Sequence, residues 1–83
     1  MIEDWRWVFN AEQIEIMTHL ITRRHPFPQV LWQLSRSRAG IHDDAVEIDE
    51  DLYELTAQGY RIQYRRLIWE RIFVVAILQK AES

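Results

Sequence analysis

The stretch from Gly59 to Ser83 constrains this chain most, because wound as one helix it carries two separate apolar lines. At about 100° per residue, Tyr60, Tyr64, Leu67, Ile68, Ile72, Val74, Val75 and Leu78 fall on one broad face, and Ile62, Trp69, Phe73 and Ala76 on the opposite one. Such a helix needs cover on two sides. At 83 residues the chain reads as a single small helical domain, residues 1–83, with a limited core and much exposed surface. One of the two covers is therefore expected to be a second copy or another protein. Strands are the alternative: Tyr60, Ile62 and Tyr64 alternate, and Ile72, Val74, Val75 and Ile77 are β-branched. Helix is favoured because no turn residue separates these runs.

Upstream, Asp4 to Phe9 alternate imperfectly and read as an extended arm that lays Trp5, Trp7 or Phe9 on the helices. Asn10 and Gln13 have capping-box spacing, which predicts a helix from about Ala11 to Arg24 that ends before His25-Pro26-Phe27-Pro28. Pro28 suits the first turn of a second helix, with Gly40 as its C-terminal cap. A short turn joins the two, so a helical hairpin is expected. From Asp49 to Lys80 there is no proline and one glycine, Gly59. One helix over that length would run roughly 45 Å, more than this domain can cover, so a kink near Gly59 is expected. The fold class is all-α: an N-terminal extended arm, a short helical hairpin and a long C-terminal helix.

Charge is segregated. The net charge is −3, yet Asp43, Asp44, Glu47, Asp49, Glu50, Asp51 and Glu54 form a block with no basic residue among them. Arg61, Arg65, Arg66, Arg71 and Lys80 follow against Glu70 and Glu82. A basic helix interleaved with Tyr60, Tyr64 and Trp69 has the ingredients of phosphate neutralisation and base stacking. Against that stand an isoelectric point near 5.5 and carboxylates directly upstream that repel phosphate. A nucleic-acid-binding regulator using the arginine-rich C-terminal helix is therefore the second reading. In the first, the arginines pair with the acidic block in the same chain or a neighbouring copy.

Catalytic and metal patterns fail on spacing. Asp43, Glu47, Asp49, Asp51 and Glu54 occupy positions 1, 5, 7, 9 and 12 of a calcium-loop window, but Ala45 stands where a ligand is needed and Ile48 where a glycine is. Glu12, Glu15 and His19 lack the Glu-x-x-His spacing and second motif of a carboxylate-bridged di-metal bundle. Neither His25 nor His42 has a serine or cysteine nucleophile in recognisable context. No catalytic residue, metal ligand or cofactor is expected, and the chain does not read as an enzyme.

The line Ile62, Trp69, Phe73 and Ala76 has spacings of seven, four and three, those of a helical seam. With Arg65, Arg66 and Trp32 it is the expected interface, because Trp and Arg concentrate at energetic centres of interfaces; the alternative is that the first two helices and the N-terminal aromatics cover both sides of the last helix within one molecule. A two-fold homodimer is the commonest closed assembly. The acidic residues from Asp43 to Glu54 form the expected second partner surface. The function expected is a small protein–protein interaction module, as adaptor, inhibitor or assembly accessory. The longest apolar run, Ile72 to Leu78, is seven residues, against roughly 20 for a membrane span. The N-terminus carries Glu3 and Asp4 where a secretion signal would be basic, so a cytoplasmic protein without a membrane partner is expected.

Overall fold

The structure, a computed structural model, describes residues 4–81. Met1, Ile2, Glu3, Glu82 and Ser83, which enter the sequence reading above, lie outside the described residues. The all-α expectation is overturned. The order is β1 (Arg6–Val8), α1 (Ala11–Thr22), α2 (Phe27–Ser35), β2 (Val46–Asp49), β3 (Leu52–Ala57), β4 (Tyr60–Leu67) and β5 (Ile72–Lys80). The strands form one sheet ordered β1-β5-β4-β3-β2, antiparallel except for β1, which runs parallel to β5.

The long C-terminal helix is replaced by an antiparallel meander, for reasons local to its turns. Gln58 and Gly59 both have positive φ, 52° and 82°, and they join Ala57 to its register partner Tyr60. A two-residue loop with both φ positive is a type I′ turn, whose twist matches that of the strands it connects. Gly59 is thus a hairpin residue and not a helix kink. Between β4 and β5 the chain turns over Ile68 to Arg71, with Arg71 at φ 55° and its N–H donating to the Ile68 carbonyl. No glycine, proline or asparagine marks that turn.

The helix starts follow the sequence. Asn10 Oδ1 accepts from the Gln13 N–H at 2.8 Å, and Gln13 Oε1 accepts from the Asn10 N–H at 2.9 Å, a complete capping box. Pro28 stands in the first turn of α2, which ends at Ser35, ahead of the expected Gly40 cap. The two helices do not build a hairpin against a third helix. They cover one face of the sheet, where Met17, Leu20, Phe27, Leu31 and Leu34 pack on Tyr53, Leu55, Ile62, Tyr64, Phe73, Val75 and Leu78.

The expected arm is a true strand, β1, and its tryptophans anchor it. Trp7 stands beside Phe73 in the register and donates its indole N–H to the Leu31 carbonyl at 2.9 Å. Trp5 is buried and donates to the Ser37 carbonyl at 3.1 Å. Two arginines pin the segment after α2 to the sheet. Arg66 donates to the Ala39 carbonyl and Arg71 to the Arg38 carbonyl, which sets Gly40 over the Trp5 and Phe73 rings.

Candidate functional site

The helices cover one face of the sheet, and the other is open. Alternation along each strand fixes its residues. Because Phe73, Val75, Tyr64 and Ile62 point into the core, Ile72, Val74 and Ile77 on β5 and Arg61, Gln63, Arg65 and Leu67 on β4 point out. Register then sets Val8 of β1 beside Val74, Leu67 beside Ile72, and Leu52 of β3 beside Arg65. The result is a continuous apolar strip of Val8, Val74, Ile72 and Leu67, with Ile77 extending it along β5.

A sheet with one solvated face normally alternates apolar inward with polar outward. Here the outward positions of β5 down to Ile77 are aliphatic. The strip ends at the β4–β5 turn, where Ile68 is exposed and Trp69 is 95% exposed. Solvated apolar surface of this continuity, rimmed by Arg6, Arg61, Gln63 and Arg65, is the candidate interaction surface.

The expected interface residues scatter. Ile62 and Phe73 are fully buried in the core, and exposing either would cost about 1.5–3 kcal/mol, so neither takes part in a surface. Ile62 and Phe73 share the inward face of the sheet, whereas Trp69 stands in the β4–β5 turn at 95% exposure, so the helical seam does not exist. Ala76 lies at the irregularity between the Gln63 and Tyr64 register pairs. Trp32 is exposed on α2 with the Arg36 guanidinium 5.0 Å from its ring, on the helical layer and away from the open face. Trp69 and Arg65 remain at the open face.

The arginines meet the acidic block within the chain. Arg66 Nη2 lies 2.8 Å from Asp51 Oδ1, with its guanidinium 5.0 Å from the Tyr53 ring centre. Arg65 Nη1 donates to the Glu50 carbonyl at 2.6 Å. Glu54 is on the open face, where it accepts from Gln63 Nε2 at 2.7 Å. Asp43 and Asp44 stand before β2, Glu47 and Asp49 on it, and Glu50 and Asp51 in the turn after it. The acidic residues therefore line the β2 edge and do not start a helix.

Tyr64 sits at the centre of the core, T-shaped against Trp7 and Phe73 and stacked with Tyr53. Burial pushes its phenol up to about 12, with Tyr53 adding to the rise, while Arg66 and a backbone hydrogen bond at His42 oppose it. Its hydroxyl donates to the Gly40 carbonyl at 3.4 Å, so it is a neutral structural group.

Sequence reasoning missed Val8 and Ile77, and it put Leu67, Ile72 and Val74 on a core-facing helix side. The signal was the unbroken, β-branched and aromatic run Ile72-Phe73-Val74-Val75, which on a strand puts bulky apolar residues on both faces. Among the described residues no helix is long and apolar enough to cross a membrane, and no group of three His, Asp or Glu side chains is placed to hold a metal ion. Comparison with protein families, with characterised proteins and with solved structures returned no match.

Proposed function

We propose that this protein is a small protein–protein interaction module that binds its partner with the open face of its sheet and the Trp69 turn, and that it acts as a homodimer. The observation that carries the reading is the solvated strip Val8, Val74, Ile72 and Leu67 running into Ile68 and Trp69. A rigid sheet presents such a strip at little entropic cost, and an exposed tryptophan at its end is the residue type most enriched among binding hot spots.

Arg66 supports this reading over a nucleic-acid one, since the Asp51 carboxylate at 2.8 Å partly answers its charge before any phosphate arrives. The test is a set of three variants, Val74→Lys, Trp69→Ser and Trp32→Ser, each checked for an unchanged fold. Partner recovery lost with the first two and kept with the third is the expected result. Loss with Trp32→Ser alone would move the surface to the helical layer, and salt-sensitive binding of oligonucleotides lost on Arg61→Ala would favour the second reading.

A further inference from the structure

We propose that β5 pairs, antiparallel, with β5 of a second copy along the edge that β1 leaves uncovered. Leu78 of each copy then stands opposite Lys80 of the other, and Glu12 lies beside the partner's Lys80. The proposal deepens the homodimer reading above and rests on it.

The uncovered edge follows from strand lengths. β1 pairs with β5 only from Ile72 to Val74, while β5 continues to Lys80. Over Ala76 to Lys80, β5 has no second neighbouring strand among the described residues. Two hydrogen bonds fix which main-chain groups face outward. Arg6 N–H donates to the Arg71 carbonyl on the β1 side, and Ala81 N–H donates to the Gly59 carbonyl on the β4 side. Alternation from Ala81 backwards directs Gln79 and Ile77 to β4, and Lys80 and Leu78 to the free side. Gln13 Nε2 donates to the Val75 carbonyl and so occupies the acceptor nearest the end of β1.

The edge is not sealed by α1. A cleft of about 200 Å³ opens beside it, lined by Glu12, Gln13 and Ile16 of α1 and by Ala76 and Leu78. It separates the first turns of α1 from β5.

A second copy is the occupant because the edge complements itself. A two-fold axis through Gln79 makes the two β5 strands antiparallel. The N–H and C=O of Leu78 meet the C=O and N–H of the partner's Lys80, and symmetry repeats the pair, so all four outward groups at these two positions in each copy are satisfied. Lys80 shares the sheet face of Leu78, on which α1 lies, so the partner's ammonium arrives beside Glu12, twice per dimer. A lysine on an open edge normally discourages pairing. Here Glu12 answers it. The β2 edge has no such answer, since Glu47, Asp49 and Glu50 are all acidic and the register breaks between Glu47 and Asp49.

Amide hydrogen exchange of the full chain between about 10 µM and about 1 mM tests the pairing directly. The Leu78 and Lys80 amides are expected to gain at least tenfold protection with concentration, while Ile77 and Gln79 stay protected throughout. Glu12→Lys and Lys80→Glu are each expected to weaken the dimer about tenfold by sedimentation equilibrium, and together to restore it to within about twofold. Lys80→Glu, at an exposed strand end, keeps the test readable if Glu12→Lys perturbs α1. A dimer whose Leu78 and Lys80 amides ignore concentration, and whose affinity ignores both reversals, would overturn the β5 pairing and leave the homodimer reading standing. A monomer at about 1 mM would overturn both. Protection of these amides only on adding a different protein would overturn the second copy as occupant.

Discussion

The indole of Trp5 lies flat on the ring of Phe73, with centroids 4.6 Å apart and planes 4° from parallel. Gly40 closes over both at φ +69°, and a Cβ there would fall 2.8 Å from Phe73 Cε1 and 2.9 Å from Trp5 Cε2. The pair ties the first strand and the segment after α2 to the centre of the sheet. Gly40→Ala is therefore expected to lower the unfolding free energy by about 2–3 kcal/mol, from overpacking plus a left-handed backbone. Urea denaturation should show a lower midpoint at unchanged slope.

Gly59 gives the contrast. It has φ +82° but nothing within 4 Å of a built Cβ, so Gly59→Ala should cost about 1 kcal/mol from backbone conformation alone. Gln58, at φ 52°, carries a side chain poorly suited to a type I′ turn, and Gln58→Asn should stabilise by about 0.5 kcal/mol. Thermal melts of the two variants should move in opposite directions.

These turns show how much of the fold was legible in the sequence. Asn10 and Gln13 announced α1 because a capping box is a local device between residues three apart. The prolines at 26 and 28 ended α1 and opened α2 for equally local reasons. The meander was hard to read because the β4–β5 turn, Ile68 to Arg71, holds no turn former, with Arg71 itself at φ 55°. Gly59 reads as a kink, and Asp51 at φ 54° as part of an acidic helix start, so residues 49 to 80 read as helix. The same misreading hid the candidate site. On a helix Leu67, Ile72 and Val74 share a side with Tyr64 and Val75, whereas on strands they separate onto the open face, and sheet pairing brings Val8 from the far end of the chain beside them.

Tyr64 sets an alkaline limit on stability. Its phenol is raised from 10.0 to about 12, so the folded state holds the proton more tightly than the unfolded one. The stability this contributes is complete below pH 10 and is lost as pH rises through 12. A rise of that size corresponds to about 3 kcal/mol at most. Tyr64→Phe should lose less stability than the parent between pH 10 and 12, read as the difference between two denaturation series.

Arg66 holds three parts of the molecule at once: the Asp51 carboxylate at 2.8 Å, the Ala39 carbonyl at 2.7 Å and the Tyr53 ring. Arg66→Ala should cost about 1–2 kcal/mol, because it removes an ion pair to a partly exposed carboxylate together with the guanidinium packed on the Tyr53 ring. Arg66→Lys should recover less than half of that, since an ammonium cannot reach both acceptors while lying on the ring. The measurement is the midpoint of chemical unfolding for the three proteins.

The central claim is that the open face of the sheet is where this protein meets its partner, and a photo-crosslinking amino acid placed singly at Val74, Trp69 or Trp32 in living cells tests it most directly. The account predicts one discrete adduct from Val74 and the same adduct from Trp69, with none from Trp32. Adducts from Trp32 alone, or none from Val74 while the variant remains folded, would contradict it.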